Sequence, residues 1–166
     1  TEFDTQNDPR SWYNPALIEV QTKGEAERCG LILHHIILDD KGLHEGSIFA
    51  QASSGSGTDQ IDNTTIVQDA MIASRHGAIT LGEGAILRNF GGMSAVRVTE
   101  KAKLVMESGS KIEDTTVTDR VKGPSGSVGP AGAIWVQGAS ITMEKGSEIS
   151  NIIGRAVYVD GGDVRI

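Results

Sequence analysis

Apolar and polar positions alternate in short bursts along the second half of the chain, and the bursts recur. The apolar pairs Ile79/Leu81, Leu104/Met106 and Ile141/Met143 enclose Thr80, Val105 and Thr142. A period of two is the signature of a strand with one face turned inward. Three positions after each pair stands a glycine: Gly84, Gly109 and Gly146. A second inward residue follows at Leu87, Ile112 and Ile149, and two positions later comes Asn89, Asp114 or Asn151. The stretches 95–98, 133–136 and 156–159 repeat the alternation, with Arg97, Trp135 and Tyr158 at the position between two apolar residues. The pattern predicts three short strands and three turns per unit.

Gly84 and Gly109 are 25 positions apart; Gly109 and Gly146 are 37 apart, with the excess between Ile112 and Ile134. Removing a loop of about a dozen residues restores the period. Self-similarity at such a period indicates a solenoid, and three strands per unit indicate an all-β parallel β-helix with stacked aliphatic columns. Upstream the pattern is looser. Residues 16–20 read as an early strand, 31–38 as an apolar run ending in the turn 39–42, and 61–72 as a further strand segment. The polar stretch 53–60 carries no pattern and reads as loop. We expect an N-terminal strand and capping segment over 1–29 and a solenoid over 30–166. Asp160–Ile166 matches the opening of another unit, with Val164 and Ile166 at the places of Ile141 and Met143. An open solenoid edge invites pairing, so a following segment or a second chain is expected to complete that unit.

Composition narrows the picture. Of 166 residues 21 are glycine and only 4% are aromatic, which suits tight turns and a narrow aliphatic core. The formal net charge of −7 argues against nucleic acid or an anionic membrane surface as partner. No run of 18 apolar residues is present, so no membrane-spanning helix is expected. The single cysteine, Cys29, excludes an intrachain disulfide, and no Cys/His zinc spacing occurs.

The phrases Ala78-Ile-Thr-Leu-Gly-Glu-Gly-Ala-Ile-Leu-Arg-Asn89 and Ile141-Thr-Met-Glu-Lys-Gly-Ser-Glu-Ile-Ser-Asn151 resemble the right-handed β-helix repeats of large bacterial cell-surface proteins. Gly154-Arg-Ala-Val-Tyr-Val159 and the run 31–40 fit the same pattern, so the resemblance covers about residues 30–166. It implies a pectate-lyase-like solenoid in a secreted or wall-attached protein. It further implies a non-catalytic adhesive or carbohydrate-contacting role, with a glycan or a host or cell-wall surface as partner. The alternative is a fragment of a polysaccharide lyase or glycoside hydrolase on the same fold.

Two columns are candidate sites. Equivalent positions in successive units would place Arg97, Trp135 and Tyr158 side by side on one outer face. Aromatic rings beside an arginine can stack on sugars and pair with a carboxylate; the competing reading is a cross-strand cluster that only stabilises the sheet. Asn89, Asp114 and Asn151 read as a structural ladder of short polar side chains that tolerate left-handed backbone. The loop 121–132 lacks a phosphate-binding pattern. Glu107 and Glu144 share an outward column, and Asp114 and Asp119 lie near Arg120, but acids at turns are ordinary in an acidic solenoid. His34 and His35 sit next to each other on the expected strand and should point to opposite faces, and His44 and His76 have no spaced partner. No catalytic residue, metal site or cofactor is assigned.

Overall fold

The structure, a computed structural model, describes residues 16–20, 29–40, 70–117 and 132–166. The expected cover over 1–15, the strand segment 61–69 and the loops 43–60 and 121–131 lie outside the described residues. What is described is all-β, without a helix.

The strands fall into three sets in which every pairing is parallel. The first set stacks β2 (Gly30–Leu33), β5 (Ala78–Leu81), β9 (Lys103–Met106) and the second half of β11 (Ile134–Met143), on which the second half of β13 (Val157–Arg165) lies. The second stacks β3 (Ile37–Asp39), β6 (Ile86–Arg88), β10 (Lys111–Val117) and β12 (Glu148–Ile153), with the two-residue β7 (Gly91–Gly92) beside the end of β10. The third stacks β1 (Ile18–Val20), β4 (Ala70–Ser74), β8 (Ser94–Thr99) and the first halves of β11 and β13. β11 and β13 therefore run through a corner and belong to two sets.

The register follows the sequence repeat. Ile79 pairs with Leu104, Leu104 with Ile141, and Ile141 with Val164. Leu87 pairs with Ile112 and Ile112 with Ile149; Ile72 pairs with Val96, Val96 with Ile134, and Ile134 with Val157. A slip of one residue would turn each of these columns to solvent, so burial itself specifies the register. Residues of all three sets, among them Leu81, Leu87, Val96, Leu104, Ile112 and Ile134, meet in one buried cluster that also encloses Phe90. Burying one such aliphatic side chain contributes about 1.5–3 kcal/mol.

The turns explain the recurrent small residues. Backbone bonds from Ala85 N–H to Gly82 O, Ser110 to Glu107 and Ser147 to Glu144 close three equivalent four-residue turns. Their third positions, Gly84, Gly109 and Gly146, have φ of +69°, +80° and +92°. A positive φ there is the type II requirement that favours glycine. The equivalent residue one row earlier is His35, at φ +51°, whose N–H donates to Glu83 O. The chain therefore turns at His34–Ile36 between β2 and β3. The expected continuous strand over 31–38 is broken there, and the two histidine rings lie 6.4 Å apart, stacked and exposed, rather than on opposite faces. A left-handed residue cancels strand alternation, which is the physical reason the expectation fails.

Candidate functional site

The Arg97/Trp135/Tyr158 column forms because β8, β11 and β13 stack in register: Trp135 pairs with Arg97 on one side and with Tyr158 on the other. Alternation puts Val96 and Val98, Ile134 and Val136, and Val157 and Val159 on the opposite face of the same strands. The Arg97 guanidinium carbon lies 5.7 Å from the centroid of the Trp135 ring, within cation–π range. Arg155, four residues after Asn151 and outside the column, comes over the Tyr158 ring at the same 5.7 Å. Two arginine–aromatic pairs thus lie side by side on one sheet face. Arg155 was not legible as a site residue, because it stands in the turn before β13 and not in the repeating position.

The pairs differ in setting. Trp135, like Val117, also packs against Met93, and its Nε1 is buried with no hydrogen-bond partner among the described residues. Part of the indole therefore serves as a cross-strand cover. Tyr158 sits in the outermost row, and Gly132 lies so close beneath it that a Cβ there would approach Tyr158 N to 2.9 Å and Tyr158 Cβ to 3.0 Å. The missing side chain at Gly132 thus leaves room for the backbone and Cβ of Tyr158.

The polar ladder is built with a difference from expectation. Asn89, Asp114 and Asn151 hold φ of +57°, +51° and +53°, so all three sit in left-handed backbone. Asn151 Nδ2 donates to Asp114 Oδ1 at 3.1 Å. Asn89 instead donates its Nδ2 to Asp39 Oδ1 at 2.8 Å, while Arg88 Nε and Nη2 reach Asp39 Oδ2 at 2.9 and 2.8 Å. The first rung is a charged clasp across two strands rather than an amide pair. Asp114 and Asn151 are exposed, so a charge at this position costs little desolvation.

Other acids are engaged in comparable contacts, two between strands and one between turns. Lys111 Nζ lies 3.1 Å from Glu148 Oε2, His76 Nε2 lies 2.9 Å from Glu100 Oε2, and Gln137 Nε2 donates to Asp160 Oδ2 at 3.2 Å. The Glu148 carboxyl is held below the ordinary glutamate range by a hydrogen bond from Ser150 and by Lys111, and the Lys111 ammonium is raised by Glu148. Both groups are solvent-exposed, so these are modest surface pairings. Among the described residues no group of three or more His, Cys, Asp or Glu is placed to hold a metal ion. A shallow cleft of about 340 Å³ lies at the turn after Gln137, bordered by Lys101, Gly138, Ser140 and Asp163, and does not include the aromatic column.

No family model matches the chain, and neither a curated protein nor a solved structure matches it. The likeness to surface-protein repeats rests on the quoted phrases alone.

Proposed function

We propose that the chain is a non-catalytic structural and binding module, a right-handed parallel β-helix segment of a secreted or cell-surface bacterial protein. In this reading its Arg97/Trp135/Tyr158 face contacts carbohydrate that carries carboxylates. The β-helix reading is supported by three parallel strand sets whose partners return after one sequence repeat, as Leu81 does at Met106. The observation that carries the binding reading is the pairing of each aromatic ring in the column with an arginine at 5.7 Å. Rings supply flat apolar contact to a pyranose, and guanidinium groups supply forked donors to a carboxylate. In this reading the guanidinium groups beside the two rings favour an acidic sugar over a neutral one. The non-catalytic reading is supported by the use of Asp39, Asp114 and Glu148 as cross-strand partners of Arg88, Asn151 and Lys111.

Calorimetric titration against neutral and uronate-containing oligosaccharides tests this. We expect heat from the acidic members only, and an affinity at least about tenfold weaker, or roughly 1.4 kcal/mol, in Arg155→Ala and Trp135→Ala. Absence of binding to every glycan, or binding by both variants as tight as the parent's, rejects the site. Release of unsaturated uronides or reducing ends would replace it with an enzymatic reading.

A further inference from the structure

The turn after β2 carries two imidazoles on one side of the chain. In an extended strand, neighbouring side chains face opposite ways. His35 has φ +51°, and this left-handed residue cancels the alternation between it and His34. The two rings lie stacked, with centroids 6.4 Å apart and an interplanar angle of 29°. Both residues are exposed.

The next row makes room for them. Gly82, Glu107 and Glu144 occupy one position in successive turns, directly after the paired residues Leu81, Met106 and Met143. Gly82 is not in left-handed backbone, so its conformation does not require glycine. A Cβ at Gly82 would run into the His34 ring, against Cε1 and both nitrogens. A Cβ at Gly84 would approach His35 Cδ2 to 3.2 Å. The glutamate that later turns carry is thus missing at the place where an imidazole fills its space. Glu83 leans the other way, with its Cγ 3.3 Å from a Cβ built at Gly109 in the following row. The open side of the two rings is therefore left to solvent or to a ligand of the rings themselves.

We propose that His34 and His35 together bind one divalent transition-metal ion, copper more tightly than nickel or zinc. Imidazole nitrogen is a ligand for all three, and the order is their general order of affinity. An ion ~2.0–2.1 Å from one nitrogen of each ring sets the ring centres roughly 5–6.5 Å apart. The observed separation stands at the wide end of that span. Rotation about the broad ring torsions of the two exposed side chains turns one nitrogen of each toward a common ion. Two nitrogens with water in the remaining positions suit the tetragonal geometry of copper and nickel. No third His, Cys, Asp or Glu joins them among the described residues, so this is a surface site of modest affinity and not a closed structural centre. The inference is independent of the carbohydrate reading.

Calorimetric titration with Cu²⁺ tests it, in a Cys29→Ser background that removes the thiol as a competing ligand. The tightest step should take up one ion per chain. His34→Ala and His35→Asn should each weaken that step by at least about tenfold, while keeping the β-sheet circular dichroism of the parent. Asparagine is the choice at 35 because it tolerates left-handed backbone, so the turn persists. His44→Gln and His76→Gln should bind as the parent does. Electron paramagnetic resonance of the bound Cu²⁺ gives the ligand count: two imidazole nitrogens in the parent and one in His34→Ala or His35→Asn. Absence of a one-ion step in the parent overturns the proposal. So does parent-like binding by His34→Ala and His35→Asn, or an equal loss on changing His44 or His76.

Discussion

Asn151 donates its side-chain amide to the Asp114 carboxylate at 3.1 Å, and both residues hold left-handed backbone, φ +53° and +51°. One side chain thus performs two tasks, tolerating the turn and bonding its neighbour. Separate substitutions resolve them. Asn151→Ala should lower stability by about 1–2 kcal/mol, because a Cβ without a polar end makes the left-handed conformation costly. Asn151→Gly should cost only about 0.5 kcal/mol, the value of an exposed hydrogen bond. Urea unfolding of the two variants against the parent gives the comparison; equal losses would contradict the assignment.

The glycines divide by the same logic. At Gly162 an added Cβ would lie 2.0 Å from Ala139 O, in backbone at φ +118°. Gly162→Ala should cost about 1–3 kcal/mol from backbone strain, with the backbone clash added to it. At Gly30, in β2, the nearest atom to an added Cβ is Ala78 O at 3.5 Å and φ is ordinary. Gly30→Ala should be neutral or stabilising by up to about 1 kcal/mol. Thermal unfolding of both proteins checks the ranking.

Position along a column should matter as much as residue type. Leu104 lies inside its column with no exposed surface, and Val164 caps the same column at 37% exposure. Leu104→Ala should destabilise by about 2–5 kcal/mol. Val164→Ala should fall within about 1 kcal/mol of the parent, as expected of a partly exposed site. Chemical denaturation measures both, and a large loss at Val164 would mean that the edge is covered.

Much of this architecture was legible because the constraint that makes it is periodic. Aliphatic columns such as Leu87–Ile112–Ile149 and the turn glycines Gly84, Gly109 and Gly146 must recur wherever parallel strands stack, so one sequence displays them. The Arg97, Trp135 and Tyr158 column was legible for the same reason. What escaped notice does not recur in kind. A third left-handed row runs through Glu100, Gly138 and Gly161, at φ +59°, +61° and +71°, and its first member is no glycine. The Asp39 clasp by Arg88 and Asn89 joins residues about 50 positions apart, across a long insertion that hides the repeat. Arg155 reaches Tyr158 from a turn, where sequence offset says little about direction.

The Lys111–Glu148 contact makes a pH prediction. Glu148 has a folded-state pKa below its unfolded value, so its contribution is present above the unfolded pKa and is lost as pH falls through the folded one. Lys111 is raised, so its contribution is present below the unfolded lysine pKa and is lost as pH rises through the folded one. The pair therefore acts between the acidic and the strongly alkaline range. Carboxyl NMR titration should place Glu148 below an ordinary glutamate. Ser150→Ala should move its midpoint upward the most and Lys111→Met somewhat less, following the order of their effects. An unchanged midpoint in both variants would contradict the contact.

The proposed carbohydrate contact at the Arg97/Trp135/Tyr158 column is tested most directly by chemical-shift mapping with a short oligogalacturonate. The account predicts saturable shifts centred on the Trp135 indole, the Tyr158 ring and the guanidinium groups of Arg97 and Arg155, and none with a neutral oligosaccharide of equal length. An unchanged spectrum at high ligand concentration, or shifts centred away from this column, would contradict it.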